Sequence, residues 1–134
     1  MKVPLKYYLN LAKGDIVEAL FHAIQHEDWE AFSFLLPLQG DINARDECQD
    51  WTILMRAVDV ESLDMVKTLI EAGADVNLRG CFEPDECPLT LAAYACQDSL
   101  NREHDYARNK KIFDYLYPLT SPELREIADK ILHS

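Results

Sequence analysis

Apolar side chains recur at helical spacing along most of the chain, in short runs separated by polar turns. The clearest run extends from Trp51 to Asn77, WTILMRAVDVESLDMVKTLIEAGADVN. Leu54, Ala57 and Val58 share one face of a first helix, and Leu63, Val66, Leu69 and Ile70 share one face of a second. The Glu61-Ser62 step between them leaves room only for a tight turn, so the spacing predicts an antiparallel hairpin with its apolar faces together. Gly73 follows the second helix, at the place past a C-terminus where a positive φ suits glycine. One such hairpin cannot cover all of its apolar surface. It needs neighbours of the same kind, the physical signature of a repeat array.

The pattern occurs once before this stretch. Asp15 with Glu18 reads as a capping box opening a helix that carries Ile16, Val17, Leu20, Ala23 and Ile24. A turn near His26-Glu27-Asp28 leads to a second helix with Trp29, Phe32, Leu35 and Leu36, closed by Pro37 and Gly40. Leu20, Ala23, Leu35 and Leu36 lie 34 residues before Leu54, Ala57, Leu69 and Ile70, and Asp41-Ile42-Asn43 lies 34 before Asp75-Val76-Asn77. The residues before Gly14 are expected to be a short lead-in with exposed aromatics, Tyr7 and Tyr8.

Thr52-Ile53-Leu54-Met55-Arg56-Ala57, followed by Leu69-Ile70-Glu71-Ala72-Gly73-Ala74-Asp75-Val76-Asn77, closely resembles the ankyrin repeat, whose pattern is T-P-L-H-x-A, then leucines, then G-A-D-V-N. Ile53 stands where that pattern has proline and Met55 where it has histidine. The resemblance implies an all-α solenoid of stacked helix-turn-helix units joined by β-turn fingers. On that reading residues 15–45 are a first repeat, 46–79 a second and 80–117 a third, with 1–14 as lead-in and 118–134 as a capping helix. The connection ARDECQDW becomes a finger with Trp51 near its tip, where the indole either folds back on a neighbouring finger or waits for a partner.

The third copy is distorted. Leu78 to Glu86 makes a finger about two residues longer than the pattern, and Cys87-Pro88-Leu89-Thr90-Leu91-Ala92-Ala93 restores the match. Ala57 to Leu69 spans 12 residues but Ala92 to Leu116 spans 24, so roughly a dozen residues are inserted around Cys96 to Lys110. They either lengthen both helices or form a polar loop, and a composition rich in Asn, Arg, Asp and His favours exposure. After Pro118, Leu124, Ile127, Ala128, Ile131 and Leu132 form the single apolar stripe of a helix suited to close the array.

Charge sharpens this picture. The 134 residues carry a net charge of −11, but residues 14–98 hold 18 acids against four bases, a balance of −14, whereas residues 1–13 are basic and residues 99–134 neutral. Such a surface repels nucleic-acid phosphates and steers a basic protein toward itself. No apolar run reaches the roughly 20 residues of a membrane helix. The first residues do not read as a signal peptide, and Cys48, Cys81, Cys87 and Cys96 lack paired spacing, so a cytoplasmic protein with reduced thiols is expected.

No phosphate loop, nucleophile elbow or paired-carboxylate motif is visible, so neither a catalytic residue nor a cofactor is expected. Glu18, His22, His26 and Glu30 fall at four-residue steps that place His22 and His26 on one helical face, where they could hold a divalent ion. The turn after His26 removes Glu30 from that face, and a histidine satisfied within the fold is the ordinary alternative. Cys81, Cys87, Cys96 and His104 match no zinc-knuckle spacing, and Glu83, Asp85 and Glu86 lack the alternation of a calcium loop.

What remains is surface. The resemblance implies partner binding through finger tips and inner helices, which carries over here to Gln25 and His26, to Gln49, Trp51, Asp59 and Val60, and to Pro84, Glu86, Tyr94 and Ala95. The neighbours Asp50, Phe82, Glu83 and Asp85 complete an acidic surface with two aromatics, the composition of a binding hot spot. The expected activity is therefore protein binding: a chain that is monomeric when free and docks a basic partner as its inhibitor, antidote or adaptor. Metal binding and self-association are the alternatives.

Overall fold

The computed structural model describes residues 5–11, 14–46, 51–80, 83 and 85–134. Eight α-helices are present among them: α1 (Leu5–Leu11), α2 (Ile16–Gln25), α3 (Trp29–Leu35), α4 (Ile53–Asp59), α5 (Leu63–Glu71), α6 (Pro88–Asp98), α7 (Glu103–Leu116) and α8 (Pro122–Leu132). No strand is assigned among the described residues, and a single antiparallel bridge joins Arg45 to Thr52. The helices pair as hairpins α2–α3, α4–α5 and α6–α7. An inner row is formed by α2, α4, α6 and α8, each packed on the next, while α5 and α7 pack side by side behind it.

Local chemistry explains the boundaries of the first two hairpins. Asp15, Asp28, Thr52 and Ser62 cap α2, α3, α4 and α5 by accepting bonds from backbone N–H groups of the first turn. Glu61 turns the α4–α5 hairpin at φ 61 and Gly73 leaves α5 at φ 102, both in the left-handed region. The apolar faces so aligned merge into one core that runs from Tyr8 through Leu20, Phe32, Leu54, Leu69, Leu89 and Ile112 to Leu124 and Ala128.

The D-x-N triplets act as staples between neighbours. In each, the aspartate accepts from the backbone N–H two residues on, Asp41 from Asn43 at 2.9 Å and Asp75 from Asn77 at 2.8 Å. The asparagine side chain then reaches across the stack: Asn43 Oδ1 accepts from Asp75 N–H, and Asn77 Oδ1 accepts from Ser121 N–H, each at 2.8 Å. Ser121 thus occupies, at the entrance to α8, the place that Asp75 occupies in the repeat before it. Asn77→Ala is expected to lower stability by about 1 kcal/mol, one hydrogen bond's net contribution. Thermal melting checks this, and a melting curve identical to that of the unmodified chain would show that the Asn77 staple adds nothing to the docking of α8.

One sequence expectation changes and one open alternative is decided. Tyr8 is not an exposed lead-in residue. It is fully buried where α1 packs on α2, its ring 5.8 Å from that of His26 and its hydroxyl donating to Asp28 at 3.0 Å. Leu5, Tyr8 and Leu9 do stand at i, i+3 and i+4, but the run is too short, between Pro4 and Gly14, to separate a docked helix from a lead-in. The inserted residues of the third hairpin lengthen both helices and leave only the short turn 99–102 between them. Against 7 and 9 residues in α4 and α5, α6 has 11 and α7 has 14, so the insertion is taken up as extra turns on both helices.

Asn109 shows how those extra turns are held. Although polar, it is buried on α7, and its amide donates to Glu61 at 2.6 Å and to Ser99 Oγ at 3.2 Å. Arg108 adds an ion pair to Glu61 at 3.1 Å. The enlarged third hairpin is therefore pinned to the turn of the second.

Candidate protein-interaction surface

The candidate residues fall into two groups along the inner row. At the fingers, Asp46 N–H donates to the Trp51 carbonyl at 2.9 Å, so Trp51 stands at the base of the first finger, beside the capping Thr52, and not at its tip. Its indole N–H donates to Glu86 Oε1 at 2.7 Å, and the Arg56 guanidinium lies over its ring at 5.1 Å. Of the two roles open to this indole, contact with the next finger is the one the fold uses. Arg56 also pairs with Asp46 at 3.5 Å and with Asp59 at 3.4 Å, drawing acids of the finger and of α4 around one cation.

The second finger is closed by Gly80 N–H donating to the Glu86 carbonyl at 2.8 Å. A Cβ at Gly80 would stand 2.8 Å from Glu86 Oε1, the atom that accepts from Trp51, so a side chain there would displace the carboxylate from the indole. Glycine here leaves the Glu86 carboxylate in place against the indole.

On the helices, Tyr94 is 56% exposed on α6 and borders two hollows. One, of about 350 Å³, lies between the end of α4 and the last turns of α6, and Asp59, Tyr94 and Ala95 line it together with Val58, Leu91 and Asp98. The other, of about 580 Å³, lies between α6 and α8 and is lined by Asp85 and Tyr94 with Gln97, Ile127, Lys130 and Ile131. Gln97 fixes the mouth of the second by donating to the carbonyls of Ile131 and Leu132 at 2.8 and 2.6 Å.

Of the other candidates, Gln25 and His26 are exposed at the far end of α2 and border neither hollow. Val60 is partly buried, and Glu83 and Asp85 are exposed. Gln49, Asp50, Phe82 and Pro84 lie outside the described residues. Leu91, Asp98 and Gln97 were not among the sequence candidates, although Leu91 and Asp98 stand three before and four after Tyr94 and so share its helical face.

Of the groups suggested for metal binding, Cys81 lies outside the described residues. His26 caps the C-terminus of α2 against Tyr8, and Cys87 and Cys96 are buried thiols. Burial pushes the Cys96 thiol up to about 11, well away from a reactive thiolate. Among the described residues, no three His, Cys, Asp or Glu side chains are grouped closely enough to hold an ion.

The stacked hairpins, the D-x-N staples and the inner helical row accord with a family model described as "Ankyrin repeats (3 copies)", which matches residues 5–80, more than half of the chain. The chain belongs to the ankyrin-repeat family. It is 33% identical over 72 residues to the Ankyrin repeat and SAM domain-containing protein 6 of Rattus norvegicus, a match covering 54% of this chain and 8% of that protein. It also superposes on the crystal structure of the ankyrin repeat domain of Bcl-3, a member of the IkappaB protein family, with a TM-score of 0.51 at 30% identity, covering 68% of this chain and 38% of the other. The chain thus spans well under half the length of either. As ankyrin repeats, its hairpins form a protein-binding module of a family that is generally not enzymatic.

Proposed function

We propose that this ankyrin-repeat chain docks a basic partner protein on its inner helices and fingers, and that docking inhibits or scaffolds that partner in the cytoplasm. The observation that carries the reading is the concentration of acid along the repeats: 18 acids against four bases over residues 14–98. Asp41, Asp59, Asp75, Glu83, Asp85 and Asp98 are all exposed. Charge of one sign over such a surface raises the encounter rate with an oppositely charged protein and disfavours acidic competitors and nucleic acid. Tyr94, held open among those acids, supplies the aromatic anchor that a charged rim lacks by itself. No helix is long and apolar enough to cross a membrane among the described residues.

Affinity capture from the source cells tests this. The immobilised chain is expected to retain a protein of net positive charge, and a variant carrying Asp59→Asn, Asp85→Asn and Asp98→Asn is expected to retain several-fold less of it. Equal retention by the variant, or capture of an acidic partner by both, would overturn the reading.

Self-association is favoured by one separate observation: Phe34 and Leu38, on the outer side of the first hairpin, are 55% and 54% exposed. Sedimentation at high concentration decides it. A dimer abolished by Phe34→Ser supports self-association, and a monomer removes it.

A further inference from the structure

The third hairpin is longer than the second, and the hollow beside Tyr94 lies at the resulting step. The inner helix α4 stops at Asp59, whereas α6 continues to Asp98 with four more residues. The overhanging turns of α6 roof a space of about 350 Å³ whose apolar side is Val58 and Leu91, whose wall is the exposed ring of Tyr94, and whose polar rim includes Asp59 and Asp98. Asp98 is exposed on the helical face of Tyr94 and takes part in no ion pair with a described residue. The cation at the rim, Arg102, is held by Asp105 at 2.9 Å.

We propose that this step pocket takes an arginine side chain of the partner, its guanidinium stacked on Tyr94 and its N–H groups directed at Asp98 and at Asp59, which it shares with Arg56. The inference rests on the basic-partner reading and assigns its anchoring subsite. Three features select the occupant. The pocket pairs an aromatic face and an apolar side with carboxylates, which suits a flat cation on an aliphatic stem. Guanidinium is more weakly hydrated than ammonium, so it loses less on entering a half-closed space, and its fork can serve two carboxylates at once. The volume also exceeds what a lone ion occupies and accommodates a side chain.

Titration of the full ¹⁵N-labelled chain with the capped peptide Gly-Gly-Arg-Gly-Gly, followed by amide chemical shifts, tests the proposal. Matched peptides with lysine or the neutral isostere citrulline in place of arginine serve as comparisons. The arginine peptide is expected to bind in about the millimolar range, with shifts clustered on residues 58–61 and 91–98. Citrulline should give no saturable shift and lysine should bind at least about threefold more weakly, for want of stacking. Tyr94→Ala and Asp98→Asn, both at exposed positions, should each weaken arginine binding about fivefold or more while leaving far-UV circular dichroism unchanged.

Equal binding of lysine and arginine would overturn the arginine assignment. Shifts confined to Glu83, Asp85 and Glu86 would overturn the step pocket while leaving a basic partner on the fingers. Absence of any shift would also overturn the pocket. The basic-partner reading itself fails in the capture experiment and not in this titration, so the two failures are distinguishable.

Discussion

Replacing Asp28 with alanine is expected to lower stability by about 2–4 kcal/mol. Asp28 is buried, and its two carboxylate oxygens serve different helices. Oδ1 accepts from Ala31 N–H at 3.2 Å and caps α3, while Oδ2 accepts from the Tyr8 hydroxyl at 3.0 Å and ties α1 to the first hairpin. Loss of an N-cap costs about 1 kcal/mol, and a buried hydroxyl left without its acceptor costs about 1–3 kcal/mol more. Tyr8→Phe, by contrast, removes the donor and leaves Asp28 its cap, so its cost should be about 1 kcal/mol. Urea denaturation orders the two, and equal losses would show that the buried phenol is satisfied without Asp28.

The same contact has a pH signature. Burial, then the hydrogen bond to Asp28, then that carboxylate's charge push the Tyr8 phenol up from 10.0 to about 12. The folded protein therefore keeps a proton that the unfolded chain releases, so the contribution is whole below pH 10.0 and is lost as pH rises toward about 12. The Cys96 thiol, raised from 9.0 to about 11 by burial, acts with the same sign somewhat lower. Subtracting the curve of Tyr8→Phe from that of the unmodified chain isolates the Tyr8 part. A difference that stays flat across this interval would contradict the buried contact.

Trp51→Ala is expected to cost about 2–3 kcal/mol, and to weaken partner binding through the fingers rather than only by loss of a contact. A fully buried tryptophan costs about 3–5 kcal/mol on truncation, and Trp51 is only partly buried. Its charge-assisted bond to Glu86 contributes about 1.5 kcal/mol or more, and the Arg56 guanidinium over the ring about 0.5–1 kcal/mol. Trp51→Phe should retain the ring over Arg56 and lose only the bond, costing about 1.5 kcal/mol. In a double-mutant cycle with Glu86→Ala, a coupling of about 1 kcal/mol or more is expected between the two positions. Additive losses would mean that the fingers are independent, and a Trp51→Ala protein of unchanged stability would return Trp51 to the role of a waiting anchor.

How far these features could be read from the sequence follows from what carries a period. Hairpins one and two of the array are legible because Leu20, Ala23 and Leu35 recur 34 residues on as Leu54, Ala57 and Leu69, and caps such as Asp15, Thr52 and Ser62 mark the helix starts. The D-x-N triplets are legible as repeats, but that Asn77 staples Ser121 requires knowing that α8 stands where a further repeat would begin. The burial of Tyr8 and the reach of Trp51 to Glu86, 35 residues away, depend on which surfaces the stack brings together. Local pattern holds no record of that. The polar composition of the insertion argued for exposure, and the residues are indeed mostly exposed, yet exposure and helix are compatible once Asn109 and Arg108 bind Glu61.

The candidate surface divides in the same way. Asp59, Tyr94 and Ala95 line one hollow, and Asp98 and Leu91 join them because α6 is longer than its counterpart. An insertion seen in sequence only as a gap in a match thus becomes the element that shapes the hollow.

On the proposed function, charge on the repeats steers and holds a basic partner. The most direct measurement is the affinity of the purified partner at increasing ionic strength, where the Debye length falls from about 30 Å at 0.01 M to about 10 Å at 0.1 M. The dissociation constant is predicted to rise about tenfold or more over that interval, chiefly through a slower association rate. A dissociation constant that does not change with salt would contradict the account.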